Sequence, residues 1–212
     1  MFKTIAETAT SEVIEKKSKF IADAFYVETV EEAEEKIKEI RKKYYDAKHH
    51  CFAYSICTNS GSIDRFSDDG EPSGTAGAPM LNILNSQNLS NIVVIVTRYF
   101  GGILLGTGGL LRCYSEATKQ ALDSVDKAEK DLGLIVKFIV AYEDLEKIKY
   151  YFKQEDIKII DFNYAENVEI SVEITEEKYQ KMLKNIKNFN FKVKEQKVVR
   201  KSFIALSKKE EN

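Results

Sequence analysis

A chain of 212 residues that is 43% hydrophobic and 31% charged has enough apolar material to bury a core, which excludes a disordered polymer. A formal net charge of −2 excludes a nucleic-acid footprint spread over the whole chain and leaves only a local basic patch for that purpose. The apolar runs are short, as in Ile92 to Val96, and fall far below the roughly 20 residues of a membrane span.

The opening stretch MFKTIAETATSEVIEKK carries acids and has no apolar core segment, so it does not read as a signal peptide. Residues 11–27 predict one or two strands, with Phe20, Ala22, Ala24 and Tyr26 alternating. Thr29 and Glu32 form a T-x-x-E capping box. The helix it starts carries Val30, Ala33, Ile37, Ile40 and Tyr44 as one buried stripe. Cys51 to Cys57 predicts a strand, and a loop around DDGEPSG follows. A short helix from about Ala78 to Ser86 accommodates Pro79 in its first turn. The β-branched run Ile92 to Val96 predicts a central strand buried on both faces. After RYFGG a helix runs from about Gly108 to Val125, with Leu110, Tyr114, Ala117, Ala121 and Val125 on one side.

The remainder changes rhythm. Leu134 to Tyr142 predicts a strand, Asp144 to Phe152 a helix and Ile157 to Tyr164 a strand. Val168, Ile170, Val172 and Ile174 alternate in the next strand, and Thr175 caps a helix carrying Tyr179, Met182, Leu183 and Ile186. Phe191 to Val199 closes as a strand. This β-α-β-β-α-β order is ferredoxin-like. The expected domains are therefore 1–132 and 133–206. Three cysteines, Cys51, Cys57 and Cys113, make no disulfide framework, so a reducing, cytoplasmic compartment is expected.

Nine of the ten glycines fall between Gly61 and Gly109, and both prolines lie in the same window. Special backbone geometry is concentrated there. A buried strand is expected to end at Arg98, and Gly101-Gly102 permits a tight turn. Gly106-Thr107-Gly108-Gly109 then leads straight into a helix. Unshielded backbone N–H groups at such a start favour an anion, and Arg98 and Arg112 flank it. The competing reading is that these glycines serve close packing and the arginines pair with acids. Neither P-loop nor dinucleotide-binding spacing is met. Asp68, Asp69 and Glu71 are candidates for a hard cation, partners for Arg98 or Arg112, or a solvated turn, and no metal or cofactor is expected. His49, His50 and Cys51 alternate faces on a strand and cannot easily share one metal. His50 beside the acidic loop is either a general acid or base, or a structural histidine. Ser73, Ser115, Thr107 and Cys113 are available nucleophiles but stand in no recognisable catalytic arrangement. Lys192, Lys194, Lys197, Arg200 and Lys201 gather near the C-terminus, as a phosphate-contacting edge or as an edge strand guarded by lysines.

The segments Asp68-Asp69-Gly70-Glu71-Pro72-Ser73-Gly74-Thr75-Ala76-Gly77 with Pro79, and Thr97-Arg98-Tyr99-Phe100-Gly101-Gly102 with Leu105-Gly106-Thr107-Gly108-Gly109-Leu110, resemble the YigZ/IMPACT family. Lys17-Ser18-Lys19-Phe20-Ile21 and His50-Cys51-Phe52-Ala53-Tyr54 resemble its pattern too. Cys113 and Ala78 depart from it. The resemblance implies an α+β protein. Its first domain would be a two-layer α/β unit like the second domain of a small-subunit ribosomal protein and domain IV of elongation factor G, and its second would be ferredoxin-like. It also implies translation regulation: eukaryotic relatives act through protein–protein contacts, and bacterial relatives are linked to translation, to nucleic acid or to peptidase activity. Three readings follow. In the first, Lys17, Arg98, Gly101, Gly102, Gly106, Thr107, Gly108, Gly109 and Arg112 hold an RNA phosphate, a ribosome or an acidic group of a translation-related partner. In the second, a hydrolase uses His50, Asp68, Asp69, Glu71 and Thr75 in one cleft. In the third, a protein-interaction module presents an exposed apolar or mixed patch.

Overall fold

The computed structural model describes residues 1–58 and 61–205. The expected domain end at residue 206 lies outside the described residues. The chain divides into two compact units, Phe2–Ala128 and a second that begins at Glu129 and takes in Met1. Among the described residues no helix is long and apolar enough to cross a membrane.

The first unit contains β1 (Phe2–Ile5), β2 (Ala9–Glu15), β3 (Ser18–Tyr26), α1 (Val30–Lys43), β4 (His49–Thr58), β5 (Gly61–Ser67), α2 (Gly77–Ser86), β6 (Ile92–Tyr99) and α3 (Gly106–Asp123). Its sheet runs β2-β3-β6-β4-β5, every neighbouring pair antiparallel. β6 is central, as its uninterrupted apolar run predicts. Ile92, Val94 and Val96 join the core under α2 and α3, with Leu84, Leu110 and Tyr114. Val93 and Ile95 face the other way, onto Ala33, Ile37 and Ile40 of α1. The expected sheet-and-helix arrangement thus gains a helix on its second face. Each of these fully buried valines and isoleucines contributes roughly 1.5–3 kcal/mol.

Two strands escaped the sequence reading. β1 is only four residues long. β5 is an edge strand, almost wholly exposed, whose apolar residues Ile63 and Phe66 are three apart rather than two, so it shows no period-two alternation. At α1, the Thr29 hydroxyl accepts from the Glu32 N–H at 3.1 Å. The Glu32 carboxylate accepts from the Glu28 N–H at 2.7 Å, one residue earlier than a regular capping box has it. The β2–β3 hairpin closes at the Glu15–Ser18 pair, so its loop is the two residues Lys16 and Lys17, with φ 45° and 67°.

The second unit holds most of β7 (Lys127–Val140), then α4 (Leu145–Gln154), β8 (Lys158–Tyr164), β9 (Val168–Thr175), α5 (Glu176–Asn185) and β10 (Val193–Ala205). Its strand order β10-β7-β9-β8, all antiparallel, is ferredoxin-like. Leu134, Val136, Phe138, Ile170 and Val172 pack with Ile148, Phe152 and Met182 of the two helices. Thr175 caps α5, its hydroxyl accepting from the Lys178 N–H at 3.2 Å. Together the two units make an α+β architecture.

Candidate functional site

The acidic loop folds onto itself. The Asp68 carboxylate accepts from the Gly74 N–H at 2.8 Å, the Ala76 N–H at 3.0 Å and the Gly77 N–H at 2.9 Å. Ala76 and Gly77 begin α2, which has no side-chain cap of its own and no acid in its first turn. Asp68 therefore caps that helix from eight and nine positions upstream. Gly77 lies so close to the Ser67 backbone that a Cβ would stand 2.8 Å from it, and the Thr75 hydroxyl donates to the Pro72 carbonyl at 2.7 Å. Asp69 accepts from the Arg41 guanidinium at 2.7 Å and from the His50 N–H at 2.7 Å. Glu71, its side chain 4% exposed, accepts from Arg98 at 2.7 Å and from the Tyr114 hydroxyl at 2.9 Å. Arg98 is 7% exposed. The three carboxylates thus turn to three different sets of donors. Among the described residues no three His, Cys, Asp or Glu side chains are grouped to hold a metal ion.

The Cys51 thiol lies 2.9 Å from the Asp68 carbonyl oxygen and 3.3 Å from the Tyr114 hydroxyl oxygen. Burial pushes the thiol up to about 12 and pushes the Tyr114 phenol up as well. Both stay protonated at neutral pH, so Cys51 is not a thiolate nucleophile. Burial raises Cys113 too. The His50 ring is buried, with Nε2 3.0 Å from the Tyr44 carbonyl, which can only accept. Its Nδ1 stands 3.9 Å from Asp69. His50 fastens the α1–β4 connection. His49 makes a similar tie through Nδ1, 2.8 Å from the Asp69 carbonyl.

The turn after β6 is built differently. Gly101 lies flat against the backbone of Lys17 and Ser18, where any Cβ would overlap the Lys17 carbonyl. Its N–H donates to the Ser18 hydroxyl at 3.1 Å. This clamp fixes the turn to the tip of the β2–β3 hairpin. Gly102 (φ 84°) and Gly106 (φ 71°) occupy the left-handed region with open space around them. α3 starts with no side-chain cap and no acid in its first turn, and Gly106, Thr107 and Gly108 are exposed. Gly109 is half-buried, its missing Cβ position 3.0 Å from Leu105. Lys17 is exposed at the hairpin tip.

The arginines belong to the competing reading. Arg98 is buried in the Glu71 pair, with its guanidinium carbon 5.4 Å from the Phe20 ring and 5.6 Å from the Phe100 ring. Its charge does not reach the surface of the turn. It connects the turn to the acidic loop. Arg112, 69% exposed, pairs with Glu15 at 3.1 Å.

The third reading calls for exposed apolar side chains without naming any, and the residues that sequence reasoning missed are these. Phe100, Ile103, Leu104 and Leu111 are all exposed, Leu104 by 84%. Lys16 stands beside Lys17 on the hairpin tip, exposed, and neither forms an ion pair among the described residues. A signal was available: no aspartate or glutamate occurs between Glu71 and Glu116, in a chain with 34 acidic residues. The apolar run Phe100 to Leu105 also falls in a turn, where no periodic element would bury it.

In the second unit, Lys192, Lys194, Lys197, Arg200 and Lys201 are exposed on or just before β10, which pairs with β7. Lys194 contacts Asn167 at 2.5 Å. On the other strands of this sheet Lys137 pairs with Glu169 at 2.7 Å and Lys158 with Glu173 at 3.1 Å.

Comparison with known proteins places two family models on the chain. Residues 16–122 match the Impact N-terminal domain, and residues 138–189 match a domain of unknown function, DUF1949. The IMPACT family member YvyE of Bacillus subtilis (strain 168) is 39% identical over 82% of this chain and 79% of its own. The IMPACT family member YigZ of Escherichia coli (strain K12) is 36% identical over 82% of this chain and 86% of its own. A crystal structure described as that of a hypothetical protein matches 98% of both chains, with 30% identity and a TM-score of 0.63.

Proposed function

The chain belongs to the IMPACT family, and from that premise we propose that it is a translation-associated regulator that works by contact rather than by catalysis. The contact surface is the glycine-rich turn of residues 99–109 with the β2–β3 hairpin tip. It would hold an anionic group, an RNA phosphate or the acidic group of a ribosome-related partner. The observation that carries this reading is the turn itself: an uncapped helix start, exposed backbone at Gly106 to Gly108, and exposed Lys16 and Lys17, with no acid among them. Backbone N–H groups and lysines arranged this way favour negative charge.

The hydrolase reading finds less support. A reaction needs acid, base and electrophile free to converge on one point. Here Asp68, Asp69 and Glu71 are each committed to donors of the fold, and His50 is tied to Tyr44.

The test is co-sedimentation of the full chain with ribosomes at low and high salt, beside a Lys16→Glu, Lys17→Glu variant. Arg98→Ala is the wrong probe, because it strands buried Glu71 and damages the fold. The expected result is ribosome association that salt releases and the lysine variant weakens about tenfold. A protein that stays at the top of the gradient at every salt concentration defeats the reading.

A further inference from the structure

We infer that the partner is a protein, and that what docks on the 99–111 turn is an acidic segment carrying large apolar side chains. This rests on the turn being the contact surface, and names what occupies it.

Phosphate binding alone leaves the exposed apolar side chains of this turn unexplained. Phe100, Ile103, Leu104 and Leu111 expose four large apolar side chains within one turn and the start of α3. Exposed single hydrophobics are ordinary, but several grouped in one short segment mark an interaction site. A nucleic-acid strand uses aromatic rings and arginine planes for stacking. Three of these four side chains are aliphatic. Of the two flanking arginines, Arg98 is buried against Phe20 and Phe100 and bound to Glu71, and the exposed Arg112 is paired with Glu15. Aliphatic side chains are matched by leucine, isoleucine or phenylalanine from another polypeptide.

Charge completes the match. Lys16 and Lys17 are exposed without ion pairs among the described residues, and the start of α3 presents uncapped N–H groups. The acids that border this edge already have donors: Glu15 is engaged by Arg112, Glu12 by Lys19 and Asp46 by the Tyr99 hydroxyl. A neutral apolar segment would leave the lysines uncompensated, and a basic one would be repelled. The surface is also held in place before binding. Gly101 is clamped on Lys17 and Ser18, and the buried Arg98–Glu71–Tyr114 network lies beneath Phe100. Little ordering cost then falls on this side of the interface.

The test pans a random peptide library displayed on phage against the immobilised full-length protein. The peptides that emerge are synthesised and titrated against wild type, Leu104→Asp and Lys16→Glu, Lys17→Glu, beside a single-stranded oligoribonucleotide in the same buffer. The expected peptides combine Asp or Glu with Leu, Ile or Phe. Each variant weakens them about tenfold or more, and the oligoribonucleotide binds less tightly than they do. Leu104 is so exposed that its replacement leaves the fold intact, which a melting curve checks, and Ile103→Asp stands in if it does not. The inference is overturned if no peptide emerges, if the peptides lack acids, if Leu104→Asp leaves their affinity unchanged, or if the oligoribonucleotide binds more tightly. Because this experiment contains no ribosome, its failure is separable from failure of the translation reading.

Discussion

The acidic loop of residues 68–77 and the turn of residues 99–109 are both glycine-rich, both flanked by charge, and joined by the Arg98–Glu71 pair. They nevertheless satisfy their backbone in different ways. In the first, carboxylates supply acceptors for the loop's own N–H groups, so the segment satisfies itself and closes. In the second no acid is present, and among the described residues the N–H groups at the start of α3 have no side-chain acceptor, while the apolar side chains beside them are exposed. What separates a brace from a docking surface here is where the acceptors are, rather than where the glycines are.

The sharpest way to break that contrast is at its junction. Glu71→Ala leaves the Arg98 guanidinium buried without its counter-ion, and stranding a buried charge costs about 3–5 kcal/mol. Leu104→Ser, on the outward segment, changes stability by no more than about 0.5 kcal/mol. Urea denaturation of the two variants measures the difference directly. If Glu71→Ala costs under about 1 kcal/mol, the acidic loop is not the brace described above.

A second contrast appears at high pH. Cys51 and Tyr114 line the inward side, and both are neutral when protonated. Burial raises them above the ordinary values of 9.0 and 10.0. The unfolded chain therefore gives up these protons first as pH rises. Their contribution is fully present below about pH 9 and is lost above it, Cys51 titrating out toward pH 12 in the fold. Stability measured by urea should fall between pH 9 and pH 10.5, and Cys51→Ala should flatten that fall. A variant with the same alkaline slope as wild type would remove Cys51 from the account.

Much of this was legible in the sequence because it is local. The stripe on α1 and the order of the second unit follow from periodicities of two and 3.6, the two-faced β6 from its uninterrupted apolar run, and the Thr175 cap from its hydroxyl just ahead of a helix. What was not legible is what depends on residues far apart in the chain. Nothing near Asp68 says that it will cap a helix eight residues on. Nothing near Arg98 says that Glu71, 27 positions earlier, will take its charge. The glycine turn stood out as special backbone. Which of its glycines is a clamp, Gly101, and which sit in open space, Gly102 and Gly106, depends on the hairpin that packs against one and not the others.

That hairpin offers the smallest effect and the most specific one. A two-residue loop with both φ values positive suits Asn-Gly, since asparagine and glycine reach the left-handed region at little cost. This chain places Lys16 and Lys17 there, at φ 45° and 67°, each strained by up to about 1 kcal/mol. Packing does not explain the choice, because both lysines are exposed. A charge needed at the tip does explain it. Lys16→Asn with Lys17→Gly should therefore raise stability by about 1 kcal/mol, seen as a higher urea midpoint with an unchanged slope. The same variant should weaken binding of an acidic peptide several-fold. A gain in both stability and affinity would mean that the lysines serve neither the fold nor the surface. A gain in stability with a loss of binding is the trade expected where strain is kept for contact.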